Sequence, residues 1–416
     1  MIGSRFKLAL VAALLGVYGG LGLFPGIMRG FGVGVSVLWF RDTHSMLAAS
    51  DSAREGRDPF VDNIHDVGGE RHIYPDWWFV LGKAGLDRSD ALWLGAGIVG
   101  LFWLAALLLL PVGSWREWWW TLAVCASPPF WLVVNRANPD MLVFALLTPV
   151  VPWLLHRKPW VRLLAPGPVA LGTGLKFFPL LAGAALLHPA PTRRENRQRW
   201  AIIIGLGLLL AWSLADDVQR YLAAGWLGRG LFTFGAAAVA LHGGGEPDFW
   251  VNLGRLAGLI LVGWGLVRGS VGRSGDVLPP RDRLYEFMGT AVLAGMFFVT
   301  VGYLYKIIFV VWLLPGLLAR AVAPGASGRP ARFALGCLAG LVWIEGLVCA
   351  AISFWPHLAD AHGQVMIRRA AGAVSGLLAW GFIGPLAVGF GAQLRHFLQQ
   401  GLRSGELPAT NPSDRS

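Results

Sequence analysis

Charge is what this chain has least of. Only 14% of its 416 residues are charged and 55% are hydrophobic, whereas a soluble chain is about one quarter charged. That deficit excludes an ordinary soluble fold, which at this length would divide into more than one domain. Cysteine is nearly missing. Cys125, Cys337 and Cys349 all lie in apolar segments, which speaks against a disulfide framework and against a cysteine-based metal site. Lysine is scarce too, with Lys7, Lys83, Lys158, Lys176 and Lys306 the only ones. Strand-like alternation is absent, which excludes an outer-membrane barrel. No small-residue cleavage site follows Arg5 and Lys7, so the first apolar run reads as an uncleaved span.

What is present is a series of apolar runs near the length of a bilayer crossing, roughly 20 residues. Inside lipid every backbone polar group needs an internal partner, so such runs are read as helices. The fold class expected is therefore all-α: a polytopic transmembrane protein with about 10–12 membrane segments. Spans are placed at 7–26, 91–111, 118–134, 140–155, 200–215, 250–267, 286–304, 306–323, 332–354 and 372–392. Residues 1–400 form one transmembrane domain and 401–416 a polar cytoplasmic tail. The net charge of +11 does not imply nucleic acid, because the basic residues sit in short clusters between apolar runs, as the positive-inside rule places them. The clusters Arg157/Lys158/Arg162, Arg193/Arg194/Arg197/Arg199, Arg268/Arg273/Arg281/Arg283 and Arg329/Arg332 are assigned to the cytoplasm. Residues 28–90, 135–140, 216–249, 303–306 and 355–370 then fall on the outer face of a plasma (inner) membrane.

Two segments resist a simple count. Run 229–241 is short and rich in Gly and Ala, suiting an interfacial or re-entrant piece. Segment 163–187 has basic clusters at both ends yet is too short to cross twice. It is either a broken re-entrant hairpin, with Gly172, Gly174 and Pro179 marking the break, or one full helix.

The first outer loop, 41–90, is dense in carboxylates, and its interleaved aromatic residues predict an ordered loop packed on the membrane surface. Asp42 directly follows the first membrane segment, where a helix end can aim it as a general base; it also suits a helix cap. Asp51 and Asp58 are the next candidates, and Asp58, in Gly-x-Asp-Pro, reads more readily as a turn former. Asp62, His65, Asp66 and His72 match no metal-ligand spacing, so no metal is assigned. Lys176 stands in an apolar stretch, where an ionisable residue is a functional candidate or snorkels to an interface. Lys306, with Tyr303 and Tyr305, fits an interfacial belt or a second phosphate contact. Glu345 lies inside a span, where it pairs with another helix or faces a lipid-tail groove. Asn135, Arg136, Asn138 and Asp140 form a turn rich in hydrogen-bonding groups, with Asn138 placed to cap a helix that starts at Pro139. Trp77 and Trp78 serve packing or stack on a sugar ring.

These pieces together resemble a known family. Asp42-Thr43-His44, Ala48-Ala49, Gly56-Arg57-Asp58-Pro59-Phe60 and Tyr74-Pro75 are similar to the first periplasmic loop of glycosyltransferase family 87, polyprenyl-phosphate-dependent enzymes of the GT-C superfamily. Asn135-Arg136-Ala137-Asn138-Pro139-Asp140 is similar to the family's Asn-containing turn. Gly174-Leu175-Lys176-Phe177-Phe178-Pro179 is similar to its Lys-x-x-Pro segment, and Tyr303-Leu304-Tyr305-Lys306 with Pro315 to a late Tyr-rich boundary. The likeness is best over the first 190 residues. Phe60 stands where Tyr is usual, and Asp76 where a second Pro is frequent. The resemblance implies an inverting hexosyltransferase in the cell envelope, a mannosyltransferase by family likeness. It would move a sugar from a polyprenyl-phosphate donor to a lipid or polysaccharide acceptor, with no cofactor. Asp42 would be the base. Asp58, Tyr74, Asn135, Arg136, Asn138, Lys176, Tyr305 and Lys306 would contact substrate. The implied partners are membrane lipids, the lipid-linked sugar and a glycan or glycolipid acceptor. The alternatives are a transporter or flippase of lipid-linked sugars without chemistry, which should show paired repeats, and a structural membrane protein. No internal repeat is evident.

Overall fold

The computed structural model describes residues 2–33, 39–110, 112–223, 232–238, 247–268, 278–299, 302–323, 328–355 and 360–403. Helices dominate. The N-terminal α1 (Ile2–Leu23) and short α2 (Pro25–Gly30) lead to the loop 41–90, expected on the outer face and called the outer loop on that expectation, which carries α3 (Arg41–Arg54) and α4 (Phe79–Lys83). Then come α5 (Ala91–Leu109), α6 (Trp115–Cys125), α7 (Pro128–Arg136), α8 (Pro139–Leu147), α9 (Val150–Leu154), α10 (Pro159–Leu163) and α11 (Pro166–Leu175). A 3-10 stretch (Phe178–Leu187) precedes α12 (Arg193–Ser213) and α13 (Ala215–Ala223). The C-terminal part holds α14 (Pro247–Arg268), α15 (Pro280–Val299), α16 (Leu314–Ala321), α17 (Arg329–Phe354) and α18 (Ala361–Arg403). Among the described residues the strands are β1 (Thr233–Phe234) and β2 (Gly302–Tyr303), antiparallel with Thr233 opposite Tyr303.

Five of the described helices are long and apolar enough to cross a bilayer: Arg5–Leu23, Arg88–Leu109, Phe249–Arg268, Arg329–Phe354 and His362–Gln399. This is an all-α membrane protein. Among the described residues five helices pass by length and composition, or seven if each of two bent pairs is one span, against the 10–12 segments expected from the sequence. Proline is the physical reason. A run of apolar residues sets composition, but a Pro inside it removes a helical hydrogen bond and breaks the rod. Thus 118–134 divides at Ser127-Pro128, and the helix over 128–136 meets that over 139–154 at 98°. Span 306–323 is instead a 3-10 helix, Leu304–Trp312, bent by 67° into α16. Its Ile307 to Trp312 are fully buried, and Trp312 stacks on Phe144 with ring centroids 4.8 Å apart. Two further expected spans, 200–215 and 286–304, lie on α12 and α15, whose N-terminal turns carry the charges Arg193 to Arg199 and Arg281 to Glu286.

The bundle has two chemically different ends. Helix α5 begins at the outer loop; at its far end the Leu107 and Leu108 carbonyls accept from Lys7 Nζ (3.1 Å) and Arg281 (3.4 Å). Glu286, in the same first turns as Arg281, pairs with Arg320. Two cations of the expected cytoplasmic clusters are not solvated: Arg162 and Arg199 are buried and share Glu195. Glu345 is also buried, and its carboxylate accepts the Phe232 backbone N–H. Arg273, the tail beyond Arg403, and all of run 229–241 except 232–238 lie outside the described residues.

Segment 163–187 folds back on itself. Helix α11 stops at Lys176, whose backbone is extended (φ −153°, ψ 146°). A Cβ on Gly172 would lie 3.1 Å from Pro179 Cβ, and one on Gly183 would lie 3.8 Å from Val169, so the arms run antiparallel about Lys176. Pro179 cannot donate to the Leu175 carbonyl, which a continuous helix would require. The Trp78 indole N–H takes that carbonyl instead, at 2.9 Å. Trp77 lies over Gly174, where a Cβ would approach its ring to 2.1 Å. Both tryptophans thus pack on the hairpin tip. Replacing Gly174 by Val is expected to destabilise by about 1–3 kcal/mol through overpacking, whereas Gly183→Ala, with only ordinary contact ahead of it, changes thermal unfolding in detergent little.

Candidate functional site

The outer loop is ordered, as its aromatic content predicts, and it is tied internally by Asp66. That carboxylate accepts from the Gly68 and Glu70 N–H groups, each at 2.9 Å, and from the Ser45 hydroxyl. Helix α3 starts after Phe40, a residue in the left-handed region (φ 61°). The Phe40 N–H binds the Asn135 carbonyl at 2.8 Å, and Thr43 Oγ1 donates to the Ala137 carbonyl at 3.0 Å. These two bonds stitch the first turn of α3 to the turn between α7 and α8. They also decide what Asp42 does. The residue ahead of α3 is Phe40 and offers no side-chain cap, and Asp42 does not cap its helix either. Its carboxylate, 4% exposed, points to the neighbouring turn.

That turn receives it with two donors. Arg136 reaches Asp42 Oδ1 through Nε at 2.7 Å and its terminal nitrogen at 2.5 Å, and Asn138 Nδ2 donates to Oδ2. Ala137 adopts φ +42° between them, a conformation that costs a non-glycine residue on the order of 1–3 kcal/mol. The strain accompanies a reversal that lets both flanking side chains face one carboxylate. Asn138 also caps α8, its Oδ1 accepting from the Asp140 N–H at 2.9 Å, so cap and site residue coincide.

The hairpin tip supplies the next charge. Lys176 Nζ bonds Asp140 Oδ1 and lies 3.2 Å from Asn138 Oδ1. The Tyr74 ring covers the ammonium at 4.9 Å, within cation–π range. Tyr74 is pushed well above its ordinary pKa, first by burial and then by the Asp42 and Asp140 charges. Tyr305 sits within electrostatic range of Tyr74, Asp42, Asp140 and Arg136, and Lys306 within range of Asp140 and Lys176. Tyr303 stacks on Tyr305 at 5.5 Å.

Seven of the nine residues proposed from sequence therefore converge on one cluster: Asp42, Tyr74, Arg136, Asn138, Lys176, Tyr305 and Lys306. Two do not share in it through their side chains. Asp58 is exposed and turns its Oδ1 to the Phe60 N–H at 3.0 Å, as a turn former does. Asn135 reaches the site through its main chain; its buried side-chain amide meets no protein partner. Asp51 is bound to Arg54 and Arg88 elsewhere on the loop. It lines an open, highly charged groove with Glu55, His65 and Asp87. The sequence left Asp140 as one polar group of a turn. In the structure it is a site residue: wholly buried, paired to Lys176, with Oδ2 unpartnered. The usable signal was an ionisable side chain opening an apolar helix. Among the described residues no group of three or more His, Cys, Asp or Glu is disposed to hold a metal ion.

Helix α13 braces the loop from above the hairpin. Asp217 Oδ2 accepts the Asp76 N–H at 3.3 Å, and Arg220 pairs with Asp76 while lying 4.4 Å over the Phe60 ring. Beneath it, His72 is buried among Phe60, Tyr74 and Phe79. Comparison with known proteins adds nothing to this geometry: no family model, no curated protein and no solved structure matches the chain.

Two outcomes follow. Arg136→Met leaves the Asp42 charge buried without its cation and is expected to cost about 3 kcal/mol. Asp42→Asn added to it recovers part of that loss, read as coupling in thermal unfolding. His72 is held neutral, its pKa lowered from 6.5 to about 4 chiefly by burial. Its folded value lies below the unfolded one, so the unfolded chain binds more protons between the two. Stability conferred by His72 is full above pH 6.5 and falls toward pH 4, by up to roughly 3 kcal/mol. His72→Phe should flatten unfolding temperature against pH in that window.

Proposed function

We propose that this protein is a GT-C-type, inverting hexosyltransferase that moves a sugar, mannose by family likeness, from a polyprenyl-phosphate donor to a lipid or polysaccharide acceptor at the outer face of the plasma membrane. The observation that carries the reading is the convergence of Asp42, Arg136, Asp140 and Lys176 from three distant chain segments, the start of α3, the α7–α8 turn and the hairpin tip, onto one buried cluster. It lies at the end of the bundle opposite Lys7 and Arg281. The loop 41–90 packs on the apolar hairpin 163–187 at that point, and on this reading a lipid-borne substrate would arrive there.

The chemistry needs two things of these residues. The acceptor O–H must lose its proton as its oxygen bonds the anomeric carbon, and the bond from that carbon to the phosphate oxygen must break. Asp42 Oδ2 has one protein donor on it, Asn138, and so keeps an acceptor position for the hydroxyl proton. The leaving phosphate departs with the bonding electron pair and needs cations in place beforehand. Arg136, Lys176 and Lys306 set three positive charges against the two carboxylates of Asp42 and Asp140, leaving a net of one. That matches the single charge of a sugar phosphodiester. Tyr74 and Tyr305 provide ring faces and hydroxyls beside it.

Asp42→Asn in purified protein is expected to lower sugar transfer from a short-chain polyprenyl-phosphate mannose by about 10³-fold or more, with donor binding kept within a few-fold. Undiminished transfer by this variant would remove Asp42 as the base. Donor moved across vesicles with no glycosidic bond made would instead establish a flippase.

A further inference from the structure

Asn138 was expected to hydrogen-bond a sugar, but its surroundings assign it a different task. The residue is wholly buried. The orientation of its amide is settled by its neighbours. The Asp140 backbone N–H at 2.9 Å and the Lys176 ammonium at 3.2 Å can only donate, so they face Oδ1 and leave Nδ2 toward Asp42 Oδ2. One side-chain amide thus stands between the two ion pairs, Asp42–Arg136 and Asp140–Lys176. An Asn that only capped α8 would need none of the contacts to Asp42 or Lys176.

We propose that Asn138 is a positioning residue, a bridge that fixes the Asp42 carboxylate relative to the Lys176 ammonium so that base and phosphate-binding cation keep one spacing. This rests on the proposed function, because it takes Asp42 as base and Lys176 as phosphate ligand. On this reading Asn138 neither takes the proton nor binds the phosphate; it acts through the Asp42 carboxylate and the Lys176 ammonium that it holds. Asp140 serves the same end, holding Lys176 from behind.

The bridge makes separable demands. Asn138→Ser keeps a good helix cap but is too short to span both partners. It should unfold at close to the wild-type temperature, yet lower kcat about 30-fold or more and weaken donor binding about 10-fold. Asn138→Ala should do the same with lower stability. Each loss should vanish where its partner is already gone. In an Asp42→Asn background, Asn138→Ser should leave residual kcat within about 3-fold; in a Lys176→Met background it should leave donor Kd within about 2-fold. The probes are farnesyl-phosphate mannose for binding, and its radiolabelled form with a total lipid extract as acceptor for transfer. Wild-type kcat and Kd in Asn138→Ser, or losses that multiply in both double variants, would overturn the bridge and leave the function standing. A wild-type protein that neither binds nor transfers from this donor would overturn the functional reading and the bridge with it.

Discussion

A carboxylate buried in a mostly apolar protein must be matched, and Asp42 imposes that demand on everything around it. An isolated buried charge costs several kcal/mol, and a well-bonded pair roughly breaks even. Meeting the demand takes Arg136 and Asn138 from one turn, and that turn must reverse through Ala137 to present both. Asn138 then reaches Lys176, and Lys176 is held by Asp140. The helices are arranged so that this chain of partners closes. The bend of 98° between α7 and α8–α9 and the fold-back at Lys176 would each be awkward in a plain transmembrane bundle. Here both bring polar backbone and cations to a single place.

Broken helices inside an apolar bundle need their loose ends satisfied, since irregular backbone at depth survives only against protein or in a wet cavity. The hairpin tip shows how this is done. Pro179 deprives the Leu175 carbonyl of its helical donor, and Trp78 replaces it from a residue far away in sequence. The Phe40 N–H and the Thr43 hydroxyl do the same for the carbonyls of Asn135 and Ala137. The outer loop is therefore part of the bundle's hydrogen bonding, not a cover laid over it. The α13 brace through Asp76, Asp217 and Arg220 holds it from the other side.

Much of the site was legible in the sequence because its residues are ones an apolar chain can hardly carry without use. Lys176 and Lys306 stood out as charges in or beside apolar stretches, Asp42 by its place after the first membrane segment and by the family likeness, and Asn138-Pro139 read correctly as a helix start. The bend at Gly172, Gly174 and Pro179 was visible as a possibility, and the arms pack as a hairpin. Roles were harder. Asp58 and Asp42 are both loop aspartates before short apolar stretches, and only tertiary contacts separate a turn former from a residue aimed at a cation. Asp140 was hidden because Asp in a first helical turn is ordinary. Fewer described helices pass as spans than apolar runs were counted, for a general reason: hydropathy sums composition over a window, while proline acts at one peptide bond. A positive-inside count assigns Arg162 and Arg199 to a side and is blind to Glu195, which both of them share in the fold.

The Trp78–Leu175 hydrogen bond joins residues 97 positions apart, and the chain is made from its N-terminus. Residues of the outer loop are therefore synthesised and free to fold well before Leu175 exists. The indole cannot find its acceptor until the hairpin is made, and Gly174 then gives the ring room to sit. The brace on Asp76 waits longer still, because Asp217 and Arg220 follow the hairpin in the chain, so the loop is closed over the site by the parts that come last.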